Sequence, residues 1–347
     1  MSVTAAQGFV AAGCHAGIKR RRYDMALIAT EDGRPVPTAA VFTRNKFVAP
    51  PVVLDRERLR ANGGQAVAVV VNSGNANAGT GKAGLADAEK MCATTAAALG
   101  TAAQDVLVCS TGIIGTPLPM APILAAIPKL AKKLSVDHAE DAARGILTTD
   151  AQVSRAVLQR ILAEASEATF NTLNVDGATS TNDTAMLMAS GRRGKPEMGE
   201  FTDAVHRACA DLTMQMALDA EGMTRIVELR VTGAASDGEA RIAAKAIAEN
   251  NLVKCSWHGG DPYWGRLLAA AGSSGVAFKT EKSRVTYGGV VVAKGGTAVA
   301  HDGPALAEHM ALQRIAIEVH LGAGRGSAVT IGIDLGPGYI KENSGTS

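Results

Sequence analysis

The first half of the chain contains two short apolar runs, and each leads into a loop of small polar residues. Residues 66–71 precede the sequence NSGNANAGTG, and residues 106–109 precede the sequence STGIIG. Short apolar runs that end in glycine and asparagine are typical of buried strands. Segments with apolar residues at helical spacing follow both loops, so the pattern predicts an α/β architecture.

Turn-forming and capping residues mark the ends of the predicted helices. Gly100 is expected to end one helix in the left-handed conformation, Pro128 to kink or break the next, and Asp237 to cap a later one. The predicted helices cover residues 85–100, 120–134, 153–170 and 237–250. Strands are predicted later in the chain within residues 224–233, 284–296, 314–324 and 326–336.

A polar stretch rich in glycine, GRRGKPEMGE at residues 191–200, is the candidate linker. A chain of 347 residues is long enough for two lobes, each with a buried core. We therefore predict an N-terminal α/β lobe over residues 1–190 and a C-terminal α/β lobe over residues 191–347.

The composition is that of a soluble enzyme from a reducing compartment. Hydrophobic residues make up 47% of the chain, charged residues 20%, and the net charge is +2, which is too small to indicate a nucleic-acid or membrane surface. Five cysteines without a CxxC pair argue against a disulfide framework and against structural zinc. No signal-peptide pattern and no run of about 20 apolar residues is found, so we expect a cytoplasmic protein.

The only dense cluster of charge is the basic run from Lys19 to Arg22. Aromatic residues do not interleave with it, as a stacking platform for nucleic acid would require. The run is therefore predicted to be a solvated loop.

The stretch CSTGIIG places Ser110, Thr111 and Gly112 just after a predicted strand. A backbone N–H group and a hydroxyl aimed at one point from such a loop can form an oxyanion hole. A tight turn is the alternative, and the residues taken alone favour it.

Three further stretches offer polar candidates. In NVDGATSTNDTA, Asp176, Asn182 and Asp183 do not have the spacing of an EF-hand loop and are expected to form turns rather than ligand contacts. In ALDAEGMTR, the carboxylates of Asp219 and Glu221 can hold a substrate ammonium group, but the residues taken alone favour a solvated charge. HGGDPYWGR combines Arg266, a candidate carboxylate ligand, with a tryptophan that can be a packing anchor. The seven histidines form no HxxxH or HExxH pair, so no metal site is predicted.

These stretches occur together with VTAAQGFVAAG, AVFTRNKF, DAARGILTTD, DGATSTNDTAMLMASG and the C-terminal YIKENS. With these stretches in their order along the sequence, the chain resembles the bifunctional ornithine acetyltransferase / N-acetylglutamate synthase (glutamate N-acetyltransferase) family. The resemblance implies transfer of acetyl from N2-acetylornithine to glutamate in arginine biosynthesis. It also implies a layered α/β sandwich and a mechanism similar to that of N-terminal-nucleophile hydrolases. In that mechanism the precursor cleaves itself before a threonine, whose freed amine then serves as its base.

The resemblance also assigns partners and roles. It implies small-molecule substrates, neither nucleic acid nor membrane, and a homo-oligomer or a heterotetramer of cleaved chains. It implies no cofactor and no metal, and it leaves acetyl-CoA open as a co-substrate. By the resemblance, Thr111 and Gly112 map to the oxyanion hole. The implied substrate contacts are Thr148, Glu221, Asn343 and Ser347. The family position is matched to Ser347 to within one residue, because we expect the tail to be shortened.

The chain departs from the family around ILTTD. The family has two such stretches, separated by a glycine-rich segment that carries a substrate-contacting lysine and by the Ala-Thr cleavage site, whereas residues 142–157 contain only one. We therefore expect the nucleophile segment to be absent, with Thr148 and Thr149 unable to replace it. A second missing segment is expected at GIDLGPGYIKENS, residues 332–344, where GIDLG and YIKENS are joined through Pro337. The alternative function is a non-catalytic relative that binds ornithine-like amino acids.

Overall fold

The computed structural model describes residues 3–141 and 146–344. The strands are β1 (Phe9–Cys14), β2 (Met25–Thr30), β3 (Val36–Phe42), β4 (Gln65–Ala66), β5 (Ala68–Asn75), β6 (Val106–Ile113), β7 (Ile146–Thr149), β8 (Leu173–Asn174), β9 (Thr184–Ala189), β10 (Ile226–Ala234), β11 (Arg284–Tyr287), β12 (Val290–Lys294), β13 (Thr297–Ala298), β14 (Arg314–His320) and β15 (Gly326–Ile333). The helices are α1 (Pro50–Ala61), α2 (Gly81–Leu99), α3 (Met120–Lys133), α4 (Arg155–Ala168), α5 (Met198–Leu218), α6 (Asp237–Glu249), α7 (Asn251–His258), α8 (Trp264–Gly272), α9 (Gly303–Met310) and α10 (Pro337–Asn343).

Contacts among residues divide the chain into two compact units. The first contains the residues up to 166 together with 179–212, and the second contains residues 167–178 together with 213–346. The two units interleave along the chain, and they are a different division from the predicted lobes 1–190 and 191–347, which stay a prediction.

In the first unit, two sheets pack face to face and helices cover the outer face of one of them. The covered sheet has the strand order β1-β2-β5-β6, and the other has the order β4-β3-β9-β7. Successive side chains of a strand point to opposite faces. Val70 therefore belongs to the cluster that contains Met91 and Ile127 of the covering helices, whereas Val69 belongs to the cluster that contains Met186 of the second sheet. The layered α/β sandwich that the resemblance implies is confirmed here.

The second unit is built on one mixed sheet with the strand order β13-β12-β11-β14-β10-β15-β8. Strand β10 runs parallel to β14 and antiparallel to β15. Helices α6 to α9 contribute to the core on this sheet, and Trp257 is fully buried in it. A β-carbon added to Gly332 would lie only 2.7 Å from the Trp257 ring, so this strand position requires glycine.

Two of the predicted helix features are confirmed or corrected directly. Gly100 ends α2 with φ 71°, the left-handed conformation that was expected. Pro128 lies inside α3, which continues to Lys133, so a break at Pro128 is wrong and the alternative, a kink, stays a prediction. None of the helices among the described residues is long and apolar enough to cross a membrane.

The predicted cap of α6 is wrong by one residue. The Ser236 hydroxyl accepts from the backbone N–H of Glu239, and Ser236 therefore caps the helix. The carboxylate of Asp237 instead accepts from the backbone N–H of Ser327 over 2.8 Å. The predicted cap was wrong because a tertiary contact with β15 uses this side chain.

Candidate functional site

Thr111 and Gly112 lie within β6, which continues to Ile113, so the prediction that they follow the strand is corrected. The strand is longer than its apolar run because the parallel ladder with β5 continues to the pair of Gly74 and Gly112. Gly112 has φ 131°, and a β-carbon on it would lie 2.3 Å from the carbonyl carbon of Gly74. Glycine is thus required both for the backbone conformation and for the close approach of the two strands.

Buried asparagines hold the ends of these two strands in place. The Ser110 hydroxyl donates to the Asn72 amide oxygen over 2.6 Å, and the Asn72 amide donates to the Asn75 carbonyl over 2.9 Å. The Asn75 amide donates to the carbonyls of Thr116 and Pro117 beyond the turn. Because these buried polar groups satisfy one another, the Thr111–Gly112 segment is fixed by a network rather than by apolar packing.

Asn182 ties the NVDGATSTNDTA stretch to the same place. Its amide donates to the carbonyl of Ala76 over 2.6 Å and to the carbonyl of Ser110 over 2.8 Å. The stretch forms the expected turns, since Ala178 N–H donates to Asp176 and Asn182 N–H donates to the Ser180 hydroxyl. Among the described residues, no group of three or more His, Cys, Asp and Glu side chains is placed to hold a metal ion.

The outer end of this segment is open to solvent. Thr111 and Gly112 are exposed, and Ile113 and Ile114 are 47% and 52% exposed. A rigid strand end with exposed backbone and a threonine is suited to binding a ligand carbonyl, which an oxyanion hole requires.

Thr148 lies on β7, which pairs in parallel with β9 of the second sheet of this unit. Its hydroxyl donates to the carbonyl of Val3 over 2.6 Å. The Thr149 hydroxyl accepts from the N–H of Ala151 over 3.2 Å. Both hydroxyls therefore have backbone partners in this structure.

Glu221 and Asn343 meet in the second unit. The Asn343 amide donates to one carboxylate oxygen of Glu221 over 2.6 Å, and both residues are exposed. Gly222 has φ 64°, and a β-carbon on it would lie 2.0 Å from the N atom of Tyr339, so this turn packs directly on the first turn of α10. Ser347, the remaining predicted contact, lies outside the described residues.

Asp334, which no sequence pattern indicated directly, joins the Glu221 turn to the segment before α10. Its carboxylate accepts from the N–H groups of Thr224 and Arg225 over 2.9 and 2.8 Å and from the Thr224 hydroxyl over 2.6 Å. It also accepts from Nδ1 of His258 over 2.7 Å. Burial raises the pKa of Asp334, but these hydrogen bonds outweigh it and hold the pKa below its ordinary value. The sequence offered one indirect indication of this role, because the donors Thr224, Arg225 and His258 all belong to stretches that resemble the family.

A buried lysine supports the same region. The Lys254 ammonium donates to the carbonyls of Val175 and Ile333, and burial lowers its pKa to about 8. The Tyr339 hydroxyl donates to Asp176 over 2.9 Å, and burial together with this bond raises the pKa of Tyr339 to about 12. Hydrogen bonds from Lys254 and Tyr339 therefore help to hold the segment around α10 in place.

The HGGDPYWGR stretch is mainly structural. Arg266 donates to the carbonyl of Leu252 over 2.8 Å and lies 4.8 Å from the centre of the Tyr263 ring. Trp264 packs against the core of the second unit, as the packing interpretation predicted.

The structure thus groups the predicted residues by unit. Thr111, Gly112 and Thr148 belong to the first unit, and Glu221 and Asn343, in direct contact, belong to the second. Their roles in an oxyanion hole and in substrate binding stay predictions.

Comparison with known proteins reveals relatives over the whole chain. The sequence model of the ArgJ family matches residues 10–152 and 145–346. The arginine biosynthesis bifunctional protein ArgJ of Caldanaerobacter subterraneus is 38% identical over 391 residues, covering 97% of this chain and 96% of the relative. The protein of the same name from Thermobifida fusca is 38% identical over 387 residues, covering 100% of both. The crystal structure of the Bacillus halodurans protein of that name has a TM-score of 0.55 and 36% identity, and covers 58% of this chain and 98% of its own.

The comparisons also show that this chain lacks some of the positions of its relatives. The Thermobifida fusca alignment is 387 residues long but covers only the 347 residues present here, so about 40 aligned positions have no counterpart. Residues 145–152 are matched twice, once by each part of the family model. This is the pattern expected if a family segment between two similar stretches is absent at ILTTD. The second predicted junction, within residues 332–344, lies inside one matched range, and the match gives it no support.

Proposed function

Because the chain belongs to the ArgJ family, we propose that its fold serves acetyl transfer from N2-acetylornithine to glutamate in arginine biosynthesis. The observation that carries the proposal is the family match over residues 10–152 and 145–346, which together span nearly the whole chain. An acetyltransferase of this kind works on small molecules and not on nucleic acid or membranes. We infer a cytoplasmic enzyme that requires no cofactor or metal and assembles as a homo-oligomer or, after cleavage, as a heterotetramer.

In this proposal, the Thr111–Gly112 segment stabilises the negative charge that develops on the acetyl carbonyl oxygen. The close pairing of Gly74 with Gly112 and the buried asparagine network support that role, since an oxyanion hole works best when its donors are held in place before the reaction. Thr148 is proposed as a substrate contact of the same unit.

Glu221 is proposed to bind the ammonium group of an ornithine-type substrate. Its carboxylate is exposed, and Asn343 occupies one of its two oxygens, which leaves capacity for a cationic ligand. The Asn343 amide also donates to the backbone carbonyl of Tyr339 in α10 over 3.0 Å, which restricts the Asn343 side chain. Ser347 is proposed to complete this set of contacts.

We propose that the covalent step needs a nucleophile whose segment is missing from this chain. By the family resemblance, a threonine freed by self-cleavage accepts the acetyl group and passes it on. We propose that the segment that bears it is among the roughly 40 alignment positions that this chain lacks. For residues 1–347 as they stand, the alternative function is binding of ornithine-like amino acids without transfer, which the family match does not favour. We propose that the segment must be restored for transfer.

The test compares two chains in one assay of acetyl transfer from N2-acetylornithine to glutamate. One is the 347-residue chain, and the other carries the missing segment of the Thermobifida fusca relative at residues 145–152. A third chain, with the same insertion but alanine in place of the inserted nucleophilic threonine, is the control. We expect transfer only in the second chain. Failure of the second chain to transfer, although it is folded, would contradict the proposed function.

A further inference from the structure

The second unit contains a cavity of about 350 Å³, located where the chain enters β10 and where α7 ends. Its lining residues all belong to that unit and are Thr224, Arg225, His258, Ala311, Leu312 and Gln313. A volume of this size is at the lower end of the range of ligand cavities, so it suits a small molecule. Neither Glu221 nor Asn343 lines it among the described residues, so the cavity is not built from the contact proposed to bind ornithine.

Arg225 brings an unpaired positive charge to this cavity. Its Nη1 donates to the carbonyl of Met310 and, over 3.1 Å, to the carbonyl of Leu312, which holds the half-buried guanidinium against the segment after α9. Within residues 3–141 and 146–344, this side chain forms no ion pair, and its Nε and Nη2 form no hydrogen bond. A fixed guanidinium with unused N–H groups favours an anionic ligand.

The carboxylate of Asp334 does not neutralise this charge. One of its oxygens accepts from the backbone N–H groups of Thr224 and Arg225, and the other accepts from the Thr224 hydroxyl and from His258. The side chain is wholly buried, and these four donors occupy the four lone-pair sites of a carboxylate. No site on Asp334 therefore remains for the Arg225 guanidinium.

His258 adds a second polar group to the wall of the cavity, and its ring orientation is fixed. Because the ionised carboxylate of Asp334 can only accept, Nδ1 of His258 carries the hydrogen of their 2.7 Å bond. A β-carbon on Gly336 would lie 2.3 Å from Cε1 of His258, so the ring also packs on the backbone of Gly336. Its Nε2 has no hydrogen-bond partner in the part of the chain that the structure describes.

We propose that this cavity binds a small carboxylate that has a short aliphatic chain. The unused N–H groups of Arg225 donate to the carboxylate oxygens, since the planar guanidinium matches the geometry of a carboxylate. His258 donates from Nε2 in its doubly protonated form. The side chains of Ala311 and Leu312 contact the aliphatic part of the ligand. Such a ligand needs no ammonium group, so its binding does not require the Glu221 carboxylate.

The test titrates butyrate into the isotope-labelled 347-residue chain and follows the NMR signals of the His258 ring and of the backbone at Leu312 and Gln313. Butyramide, which has the same carbon chain but no charge, is the ligand control. We expect butyrate to shift these signals until they saturate, and butyramide at the same concentrations to leave them unchanged.

Three variants show which side chains bind the carboxylate. Arg225→Gln removes the charge, and His258→Asn removes Nε2 while its amide can still donate to Asp334. Arg266→Gln is the matched control, because Arg266 also donates to a backbone carbonyl of the same unit but does not line the cavity. We expect Arg225→Gln to bind butyrate at least about tenfold more weakly, His258→Asn to bind it measurably more weakly, and Arg266→Gln to bind it as the wild type does.

Equal affinities of Arg225→Gln and the wild type for butyrate, with both folded by circular dichroism, would overturn the proposal. A wild type that does not bind butyrate, or that binds butyramide equally well, would also overturn it. If Arg225→Gln does not fold, His258→Asn decides, and an unchanged affinity in that variant would contradict the proposal. Loss of butyrate binding in Glu221→Ala would overturn it as well, because the carboxylate would then depend on the contact proposed for ornithine.

Discussion

The side-chain amide of Asn343 donates to the carboxylate of Glu221 over 2.6 Å, although 122 positions separate the two residues in the chain. The contact exists because the turn at Gly222 packs on the first turn of α10 and because Asp334 binds the backbone just after that turn. Two residues that the resemblance assigns to one substrate are thus neighbours in the folded second unit.

Replacing Glu221 should weaken the binding of ornithine. A charge-assisted hydrogen bond contributes about 1.5–3 kcal/mol, so Glu221→Ala should lower the affinity roughly tenfold or more. Calorimetry with ornithine measures this, with Glu308→Ala as a control because Glu308 is an exposed carboxylate on α9 of the same unit. An ornithine affinity that is the same in Glu221→Ala and the wild type would remove Glu221 from the site.

The fold class and much of the local structure could be predicted from the sequence because they depend on local patterns. Apolar runs gave β5 and β6, and Gly100 ended α2 because glycine tolerates the left-handed conformation. The prediction that Asp237 caps α6 was wrong because its side chain accepts from the backbone N–H of Ser327, 90 positions away, and not from its own helix.

The contacts that hold the candidate site could not be predicted in the same way. Asp334 gathers donors from Thr224, Arg225 and His258, and Asn182 bonds to Ala76 and Ser110. These partners come from distant parts of the chain, so no local spacing indicates them. The resemblance pointed to the stretches involved but not to the atoms that join them.

Gly112 should tolerate a β-carbon less well than Gly115 does. Both glycines have positive φ, which costs an alanine about 1–2 kcal/mol. Only Gly112 also lacks space for a β-carbon, so forcing its strand away from β5 should cost about 1–3 kcal/mol more. Urea unfolding of Gly112→Ala and Gly115→Ala compares the two. Equal losses of unfolding free energy would show that the close approach to Gly74 is not a constraint.

Asn182→Ala should loosen the Thr111–Gly112 segment. The substitution removes the donor to two carbonyls, which costs about 1–3 kcal/mol when they are left unpaired. Asn45→Ala is the matched control, because Asn45 makes an exposed bond to the carbonyl of Thr179 in the same loop region. Hydrogen exchange of residues 110–115 should rise in the first variant only, and similar exchange in both would contradict the role of Asn182.

Acid should weaken the second unit through Asp334. The folded state lowers the pKa of this carboxyl, so its stabilising contribution is complete above the unfolded value of about 3.9 and is lost as the pH falls from there through the lowered pKa. The difference in unfolding free energy between wild type and Asp334→Asn should therefore shrink below about pH 4. A difference that stays constant between pH 6 and pH 3 would contradict this assignment.

The absence of a nucleophile segment is tested most directly by the intact mass of the purified protein. Thr148 and Thr149 have backbone hydrogen-bond partners on or beside β7, and the family match breaks at the same residues, so neither is expected to take over cleavage. We predict one chain near 35.5 kDa, with transfer from N2-acetylornithine to glutamate no faster than background. Two fragments, the second beginning with threonine at position 148 or 149, together with measurable transfer, would contradict the account.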